Sequence, residues 1–185
     1  FKSYSILSNL IVISSLFLIL SSIIDLFKKT SLNFPRVISH LSFGFLILFI
    51  GLNHNFSIEK DFNLKLGEIK QVDNFKFHLK DLKLIQDKNY KSVIGHLKVN
   101  DLSTKEERVL KPEIRIYDNP QTLTYEASIQ TNFLRDYYLT MSNIDRSDYY
   151  NIKFQKKPLM IWIWISVAML SLGGFLSLLR HAKYN

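Results

Sequence analysis

The sequence contains no cysteine among its 185 residues. Disulfides, thiolate metal sites and cysteine nucleophiles are therefore excluded. A Walker phosphate loop, an HExxH zinc motif and a Gly-x-Ser-x-Gly nucleophile turn are absent as well. These motifs carry the chemistry of many soluble hydrolases and metalloenzymes. The sequence gives no support to those classes, and no residue is assigned as catalytic.

The basic face that a nucleic-acid-binding protein presents is also missing, although the net charge is +8. Residues 53–158 carry 18 Lys and Arg against 15 Asp and Glu, and the remaining surplus flanks apolar segments. The flanking cations are Lys2, Lys28, Lys29, Arg36, Arg180 and Lys183. By the positive-inside rule, the loop near residue 30 and the C-terminal tail lie inside, whereas the N-terminus and residues 53–158 lie outside.

Three long apolar segments predict an integral membrane protein. Each is close to the ~20 residues that span a hydrocarbon core. The predicted transmembrane helices are 6–27, 34–52 and 159–179. The predicted domains are 1–52 with two helices, 53–158 as an external β-rich domain, and 159–185 with the last helix and a short basic tail.

Small residues mark two of these helices. Ser8, Ser15 and Ser22 repeat every seven residues in the first helix, and Gly173 and Gly174 lie together in the third. Small side chains at such spacing let a neighbouring helix approach closely. The pattern predicts tight helix packing and leaves the partner open.

The segment between the second and third helices has the period of β-strands. In "FKFHLKDLKL", Phe75, Phe77 and Leu79 alternate with polar residues. Similar stretches recur between turn signals, which is typical of a small antiparallel barrel or sandwich. A short helix is predicted within "FLRDYYLTM" at 133–141.

A histidine near the start of the second helix is the main candidate for function. On a helix of 3.6 residues per turn, Gly44 lies ~40° and Gly51 ~20° from His40. An imidazole beside small residues on one face suits a flat macrocycle that needs an axial ligand. The alternative is a histidine that is hydrogen-bonded at the helix end near the lipid headgroups. From these residues alone, both interpretations stay open.

A series of short motifs carries a family resemblance over the chain from about His40 onward. They are "SHLSFGFLILFIGLNHNFSIEKDF", "KNY" at 88–90, "KPEIRIY" at 111–117, "TYEASI" at 124–129, "RDYY" at 135–138 and the final "KPLMIWIW…GGFLSLL". In this order and spacing, the chain resembles the C-terminal part of CcmF, the haem lyase subunit of system I cytochrome c maturation.

The resemblance implies a membrane protein that takes haem from a carrier and attaches it to apocytochrome c. The family also holds a b-type haem in the membrane between two histidines on different helices. His40 matches one of these ligands, and Gly44 and Gly51 would face the haem. His54, just outside the membrane, is a further candidate for haem contact. No other histidine lies inside a predicted span.

The second axial ligand must therefore come from another chain or from a missing N-terminal part. The family's tryptophan-rich haem-handling segment and its external histidine pair have no counterpart here either. The resemblance implies a split or truncated C-terminal subunit that is not catalytic alone. Its expected partners are the N-terminal haem lyase subunit or other membrane subunits, a haem carrier, apocytochrome c and membrane lipid.

The sequence leaves two cellular locations open, and it leaves more than one function open. The bias toward Ile, Lys, Asn, Phe and Tyr indicates an AT-rich genome, which favours the mitochondrial inner membrane over a bacterial plasma membrane. The β domain would then face the intermembrane space, or the periplasm in a bacterium. The alternative function is a structural or assembly subunit of a respiratory membrane complex that has lost haem. A third hypothesis is a membrane-anchored binding module with an external β domain, in which the helices are interchangeable anchors.

Overall fold

The computed structural model describes residues 6–27, 33–144 and 147–184, without the side chains of 7, 8 and 181–184. Within this part, the helices are α1 (Ile6–Phe27), α2 (Phe34–Phe56) and α3 (Met160–Tyr184). The strands are β1 (Ile58–Lys65), β2 (Ile69–Val72), β3 (Phe75–Gln86), β4 (Tyr90–Asp101), β5 (Glu106–Leu110), β6 (Glu113–Asp118), β7 (Gln121–Glu126), β8 (Ser128–Thr131), β9 (Arg135–Asn143) and β10 (Tyr149–Pro158).

The three helices are long and apolar enough to cross a membrane. The candidate spans are Asn9–Phe27, Phe34–Phe56 and Met160–Arg180, which confirms the predicted set of three helices. The second helix continues four residues beyond its predicted end. Asn53 is polar, but its side-chain amide donates to the Pro158 carbonyl at 2.5 Å, and the Ser57 N–H donates to the Asn53 carbonyl at 2.9 Å. Both bonds satisfy polar groups at the helix end.

The chain divides into two compact units. The helical unit contains the described residues up to Ser57, the turn Asn132–Arg135, and the chain from Lys157 onward. The sandwich unit contains Ile58–Thr131 and Asp136–Lys156. The turn Asn132–Arg135 joins β8 to β9, so a hairpin of the sandwich ends in a turn that belongs to the helical unit.

In the helical unit, α2 packs against both α1 and α3. At one end of the α2–α3 pair, Arg180 Nη1 donates to Asn33 Oδ1 at 2.9 Å. At the other end, the rings of Phe49 and Trp162 lie 5.9 Å apart. The two helices are therefore antiparallel, and Arg36 and Arg180 lie at the same end of the unit. Lys28 and Lys29, which the charge pattern also placed at that end, lie outside the described residues.

The serine stripe of α1 lies in a helix contact. Ser15 and Ser22 are buried, and their hydroxyls donate to the carbonyls of Val12 and Leu18 at 2.7 and 2.8 Å. The α1 residues on either side of Ser15 meet the glycines of α2, so α2 is the partner that the sequence left open. Ser8 lies in α1, but its side chain is outside the description.

Gly173 is a close contact between α3 and α2, whereas its neighbour Gly174 is not. A Cβ on Gly173 would lie 2.5 Å from Ser39 Oγ and 3.0 Å from the Ser39 backbone nitrogen. A Cβ on Gly174 would meet nothing within 4 Å. Only the first glycine therefore sets the distance between the two helices.

We expect Gly173→Ala to lower the free energy of unfolding of the full chain in detergent micelles by about 1–2 kcal/mol, because α2 and α3 must separate to admit the methyl group. The matched variant Gly174→Ala should be neutral or raise it by up to about 1 kcal/mol, because alanine favours the helix. Unfolding by titrated dodecyl sulfate, followed by circular dichroism, measures both. Equal effects of the two variants would contradict the close contact.

The sandwich unit consists of two antiparallel sheets. One sheet has the strand order β1-β10-β9-β8, and the other has β2-β3-β4-β6-β7 with β5 paired to β4. The sheets do not close into a barrel, so the sandwich is the correct one of the two predicted architectures. The alternation of "FKFHLKDLKL" is confirmed, since Phe75, Phe77 and Leu79 are buried. Other fully buried side chains between the sheets are Leu64, Leu97, Tyr137, Met141 and Phe154.

The predicted helix within residues 133–141 is wrong. The chain there forms β9, which starts at Arg135 and pairs with β8. Tyr137, Leu139 and Met141 are buried at every second position, which is the period of a strand rather than of a helix. The core of the sandwich takes these three side chains, and this burial decides the local structure.

A buried ion pair joins the two sheets. Lys156 of β10 donates to Asp101, at the end of β4, at 2.7 Å, and their side chains are 17% and 3% exposed. Burial alone would raise the pKa of Asp101. The hydrogen bonds from Lys156 and Ser103, together with the Lys156 charge, outweigh burial and hold that pKa at about 2. Both charges are thus compensated inside the sandwich.

Candidate functional site

One face of α2 is covered by neither neighbouring helix. Its members recur at alternating steps of four and three residues, which keeps them on one side of a helix. We call this set the open face: Arg36, His40, Phe43, Ile47, Ile50 and His54. Five of the six are exposed, and Ile47 is half-buried. In the described part of the chain, the middle helix therefore offers a stripe of one cation, two imidazoles and three apolar side chains.

His40 lies on this face between two helix contacts. Ser39, beside it in the sequence, meets Gly173 of α3, and its hydroxyl donates to the Pro35 carbonyl at 3.0 Å. Gly44, one turn further along, meets Ile19 of α1. The imidazole of His40 is exposed. Both neighbouring helices of this chain are thus occupied elsewhere on α2, and the His40 ring is available to a group outside the chain.

Gly44 and Gly51 are contacts for α1. A Cβ on Gly44 would lie 2.8 Å from Ile19 Cγ1, and a Cβ on Gly51 would lie 3.3 Å from Ile11 Cγ2. In this structure α1 packs against both glycines, and their role as haem-facing residues stays a prediction. The helical wheel placed these glycines within ~40° of His40, but that angle separates a covered side of α2 from an open one. Of these three residues, only His40 is exposed.

His54 is exposed in the last turn of α2. It follows His40 by fourteen residues, which is about 21 Å along a helix. The two rings are too far apart to bind one metal ion together. Among the described residues, no group of three or more histidine, aspartate or glutamate side chains is placed to hold a metal ion. This part of the chain therefore offers single imidazoles rather than a complete coordination sphere.

Arg36 also lies on the open face, although in the sequence its charge indicated only the membrane topology. It precedes His40 by one helical turn, and both are exposed on the open face. A cation four residues from an imidazole is well placed to contact an anionic group of the same ligand. The spacing of four residues was the signal in the sequence that would have identified it.

Two basic side chains of the sandwich unit, Arg115 and His96, contact acidic side chains of the same unit. Arg115 donates to Glu113 at 2.9 Å and lies 4.9 Å from the centre of the Tyr90 ring. The bond to Glu113 raises the pKa of Arg115, and the bond from Arg115 lowers the pKa of Glu113. His96 Nδ1 lies 2.5 Å from Asp81 Oδ1. Arg115 is thus part of an ion pair within the sandwich unit.

Comparison with known proteins identifies the family of this chain. The family model described as "CcmF C-terminal beta-sandwich" matches residues 55–158. "Cytochrome c-type biogenesis protein CcmF" of Escherichia coli is 28% identical over 151 residues, which cover 82% of this chain and 23% of that protein. An "Uncharacterized mitochondrial protein ymf2" of Marchantia polymorpha is 37% identical over 74 residues, or 40% of this chain and 23% of that protein.

A solved structure, "Cytochrome c Heme Lyase CcmF", has a similar fold with a TM-score of 0.56 at 15% identity. The match covers 87% of this chain and 33% of the solved chain. At this identity the likeness supports the fold alone. The chain spans about a quarter of the length of the curated relatives it matches. Because the family model covers more than half of the sequence, the chain belongs to the CcmF family, by way of its C-terminal β-sandwich.

Proposed function

We propose that this chain is the C-terminal part of a haem lyase of the CcmF type, and that His40 is one axial ligand of a b-type haem in the membrane. The observation that carries the proposal is the exposed His40 on the open face of α2, inside a candidate span. An ionisable side chain within a span is costly against lipid and usually serves a function. Iron ligation gives this imidazole a partner.

The described residues fit such a group in three respects. A haem iron bound by two histidines needs one imidazole from each side, and His40 provides one. Phe43 and Ile47, beside it on the open face, are apolar and suit a porphyrin ring. Arg36 suits a propionate, because a guanidinium pairs well with a carboxylate. The second imidazole would come from a partner chain or from a separate segment, because His54 is too distant.

The chain's own residues contribute binding and orientation in this proposal. When bound, the membrane haem supplies a one-electron centre. His40 would hold the iron, Arg36 would fix the ring by one edge, and the apolar open face would exclude water. The thiols that receive haem belong to apocytochrome c, which agrees with a chain that contains no cysteine.

The proposed partners and location follow from the relatives. The partners are the N-terminal part of the lyase, a haem carrier and apocytochrome c. The proposed location is an energy-converting membrane. It is the mitochondrial inner membrane, which agrees with a Marchantia relative that is named a mitochondrial protein, or a bacterial plasma membrane, which agrees with a relative from the bacterium Escherichia coli. In either host the sandwich unit would lie on the outer side, where apocytochrome c receives haem.

A structural subunit that has lost haem is the second candidate. The observation that favours it is the packing of α1 on Gly44 and Gly51, which leaves α2 less room for a macrocycle. In that case the open face would contact a protein helix, and His40 would bond to a polar group of that helix.

The test is a reduced-minus-oxidised optical spectrum of the chain purified with its native partners. We expect a b-type signal and about one non-covalent haem per chain, since two histidines hold one iron. A pyridine haemochrome assay separates this haem from haem that is covalently attached to a co-purified cytochrome. A preparation that retains its partners but contains no non-covalent haem would overturn the proposal in favour of the structural subunit.

A further inference from the structure

The turn Asn132–Arg135 is the only part of the β8–β9 hairpin that belongs to the helical unit. Asn132 organises it. The Asn132 side-chain oxygen accepts the N–H of Leu134 at 3.0 Å and the N–H of Arg135 at 2.8 Å. The Asn132 N–H donates to the Arg135 carbonyl at 3.1 Å. This Asx-type arrangement satisfies the backbone of the turn internally.

The same turn is hydrogen-bonded to the start of α3. The Leu159 N–H donates to the Leu134 carbonyl at 2.9 Å. Trp162 Nε1 donates to the Phe133 carbonyl at 2.9 Å, and the two rings lie 5.6 Å apart, edge to face. The candidate span of α3 begins at Met160. The turn therefore lies level with the end of a membrane span.

Two large apolar side chains at the tip of this turn are mostly exposed. Phe133 is 65% exposed and Leu134 is 59% exposed. In water, each would forgo about 1.5–3 kcal/mol of burial free energy. Their carbonyls accept hydrogen bonds from Leu159 and Trp162 at the start of α3, which hold the backbone of the turn in place.

We propose that the turn Asn132–Arg135 is an interfacial membrane anchor. Phe133 and Leu134 insert into the boundary between headgroups and acyl chains, in the leaflet at the Met160 end of α3. Trp162 and Trp164 lie at the same end, where indole rings prefer the headgroup layer. Arg135 adds a cation next to lipid phosphates.

Lipid is favoured over a protein partner by the level and chemistry of the turn. Hydrogen bonds to Leu159 and Trp162 fix its depth at the end of a span. Non-helical backbone tolerates this boundary only when its polar groups are satisfied, and the Asn132 side chain provides this. Exposed apolar residues of the sandwich unit, such as Leu84 in β3, lack any such bond among the described contacts.

Because the chain has no cysteine, single spin labels can report the depth of each position. The variants are Phe133→Cys and Leu134→Cys, with Leu84→Cys as a control that is 79% exposed. Each full-length variant is labelled alone and is then combined with its unlabelled native partners in vesicles of phosphatidylcholine and phosphatidylethanolamine. The readout is the ratio of collision with oxygen to collision with a water-soluble nickel chelate, which rises with depth.

We expect the oxygen-to-nickel ratio at Phe133 and Leu134 to exceed that at Leu84 by about fivefold, as for side chains at the acyl boundary. Ratios equal to that at Leu84 would overturn the proposal, because the turn would then lie in water. Labels shielded from both reagents would also overturn it, because the turn would then be covered by a protein.

A second pair of variants tests the hydrogen bond between Trp162 and the turn. In the Phe133→Cys background, Trp162→Phe removes the indole donor to the Phe133 carbonyl, and we expect the ratio to fall toward the aqueous value. Trp164→Phe leaves this bond in place and should not change the ratio. Equal responses of the two variants would show that Trp162 does not set the depth of the turn. None of these readouts depends on haem.

Discussion

Replacement of His40 by alanine is expected to remove the b-type haem signal from the purified complex. A haem iron that loses one of two axial imidazoles loses its low-spin spectrum and much of its affinity. The other histidine of α2, His54, is about 21 Å away along the helix and is too distant to substitute. The measurement is the reduced-minus-oxidised spectrum, normalised to the amount of chain and of co-purified partners.

His54→Ala is the matched control for this prediction. It removes an exposed imidazole from the same face of the same helix, and we expect it to keep the spectrum. His40→Gly leaves a space that free imidazole can enter, so added imidazole should restore a low-spin signal. A His40→Ala complex with the full spectrum, or equal losses in His40→Ala and His54→Ala, would contradict ligation by His40.

Lys156→Met is expected to lower the free energy of unfolding of the sandwich by about 3–5 kcal/mol, because it leaves the buried Asp101 carboxylate without its counter-ion. Such a loss is a large part of the stability of a domain of this size. Hydrogen–deuterium exchange of β4 and β10 peptides in the full chain measures it as faster exchange of core amides.

Lys153→Met is the control on the same strand. Lys153 pairs with Glu59 at 2.7 Å, but both side chains are exposed. Water screens such a pair, and its loss should change stability by less than about 1 kcal/mol. If both methionine variants exchanged at the same rate, the burial of the Asp101 pair would not be the source of its effect.

The same pair predicts how stability depends on pH. The pKa of Asp101 is about 2 in the folded chain and about 3.9 when unfolded. A depressed pKa gives stability that is present above about pH 4 and is lost as the pH falls toward 2, by about 2 kcal/mol in total. In Lys156→Met, burial without a counter-ion raises the pKa of Asp101, so acid should relieve the defect. Protection factors, which correct for the intrinsic slowing of amide exchange in acid, should therefore change in opposite directions in the two proteins between pH 5 and about pH 2.

Local patterns in the sequence were sufficient for much of the fold. The three spans follow from uninterrupted apolar length, and β3 follows from alternation at Phe75, Phe77 and Leu79. The end of α2 and the identity of β9 were not predictable in this way. Asn53 stays helical because of a bond to Pro158, more than a hundred residues later. Residues 133–141 contain aromatic and charged side chains that also occur on helix surfaces, and their apolar residues have the period of a strand. Burial against other strands of the sandwich determines that this segment is β9.

The candidate site divides in the same manner. His40 was identified from its residue type within an apolar helix, and its exposure agrees with a role toward another chain. A helical wheel gives the angles between His40, Gly44 and Gly51, but it does not show which neighbouring helix covers each residue. The position of α1 depends on contacts of Ile11 and Ile19 with α2, and these are properties of the packed helices rather than of either segment.

The strand order also governs when the sandwich can form during synthesis. β1 pairs with β10 from Ile58–Lys156 to Lys65–Tyr149. The sheet that contains β1 therefore cannot be complete until β10, the last strand, has been synthesised. Until residues 149–158 have emerged, the apolar faces of β3 and β4 lack the strand that carries Phe154 and Lys156. Long-range pairing of this kind folds slowly and leaves apolar surface exposed meanwhile. A nascent chain halted before β10 would therefore be a substrate for chaperones and proteases, and α3 is the next element to emerge after β10.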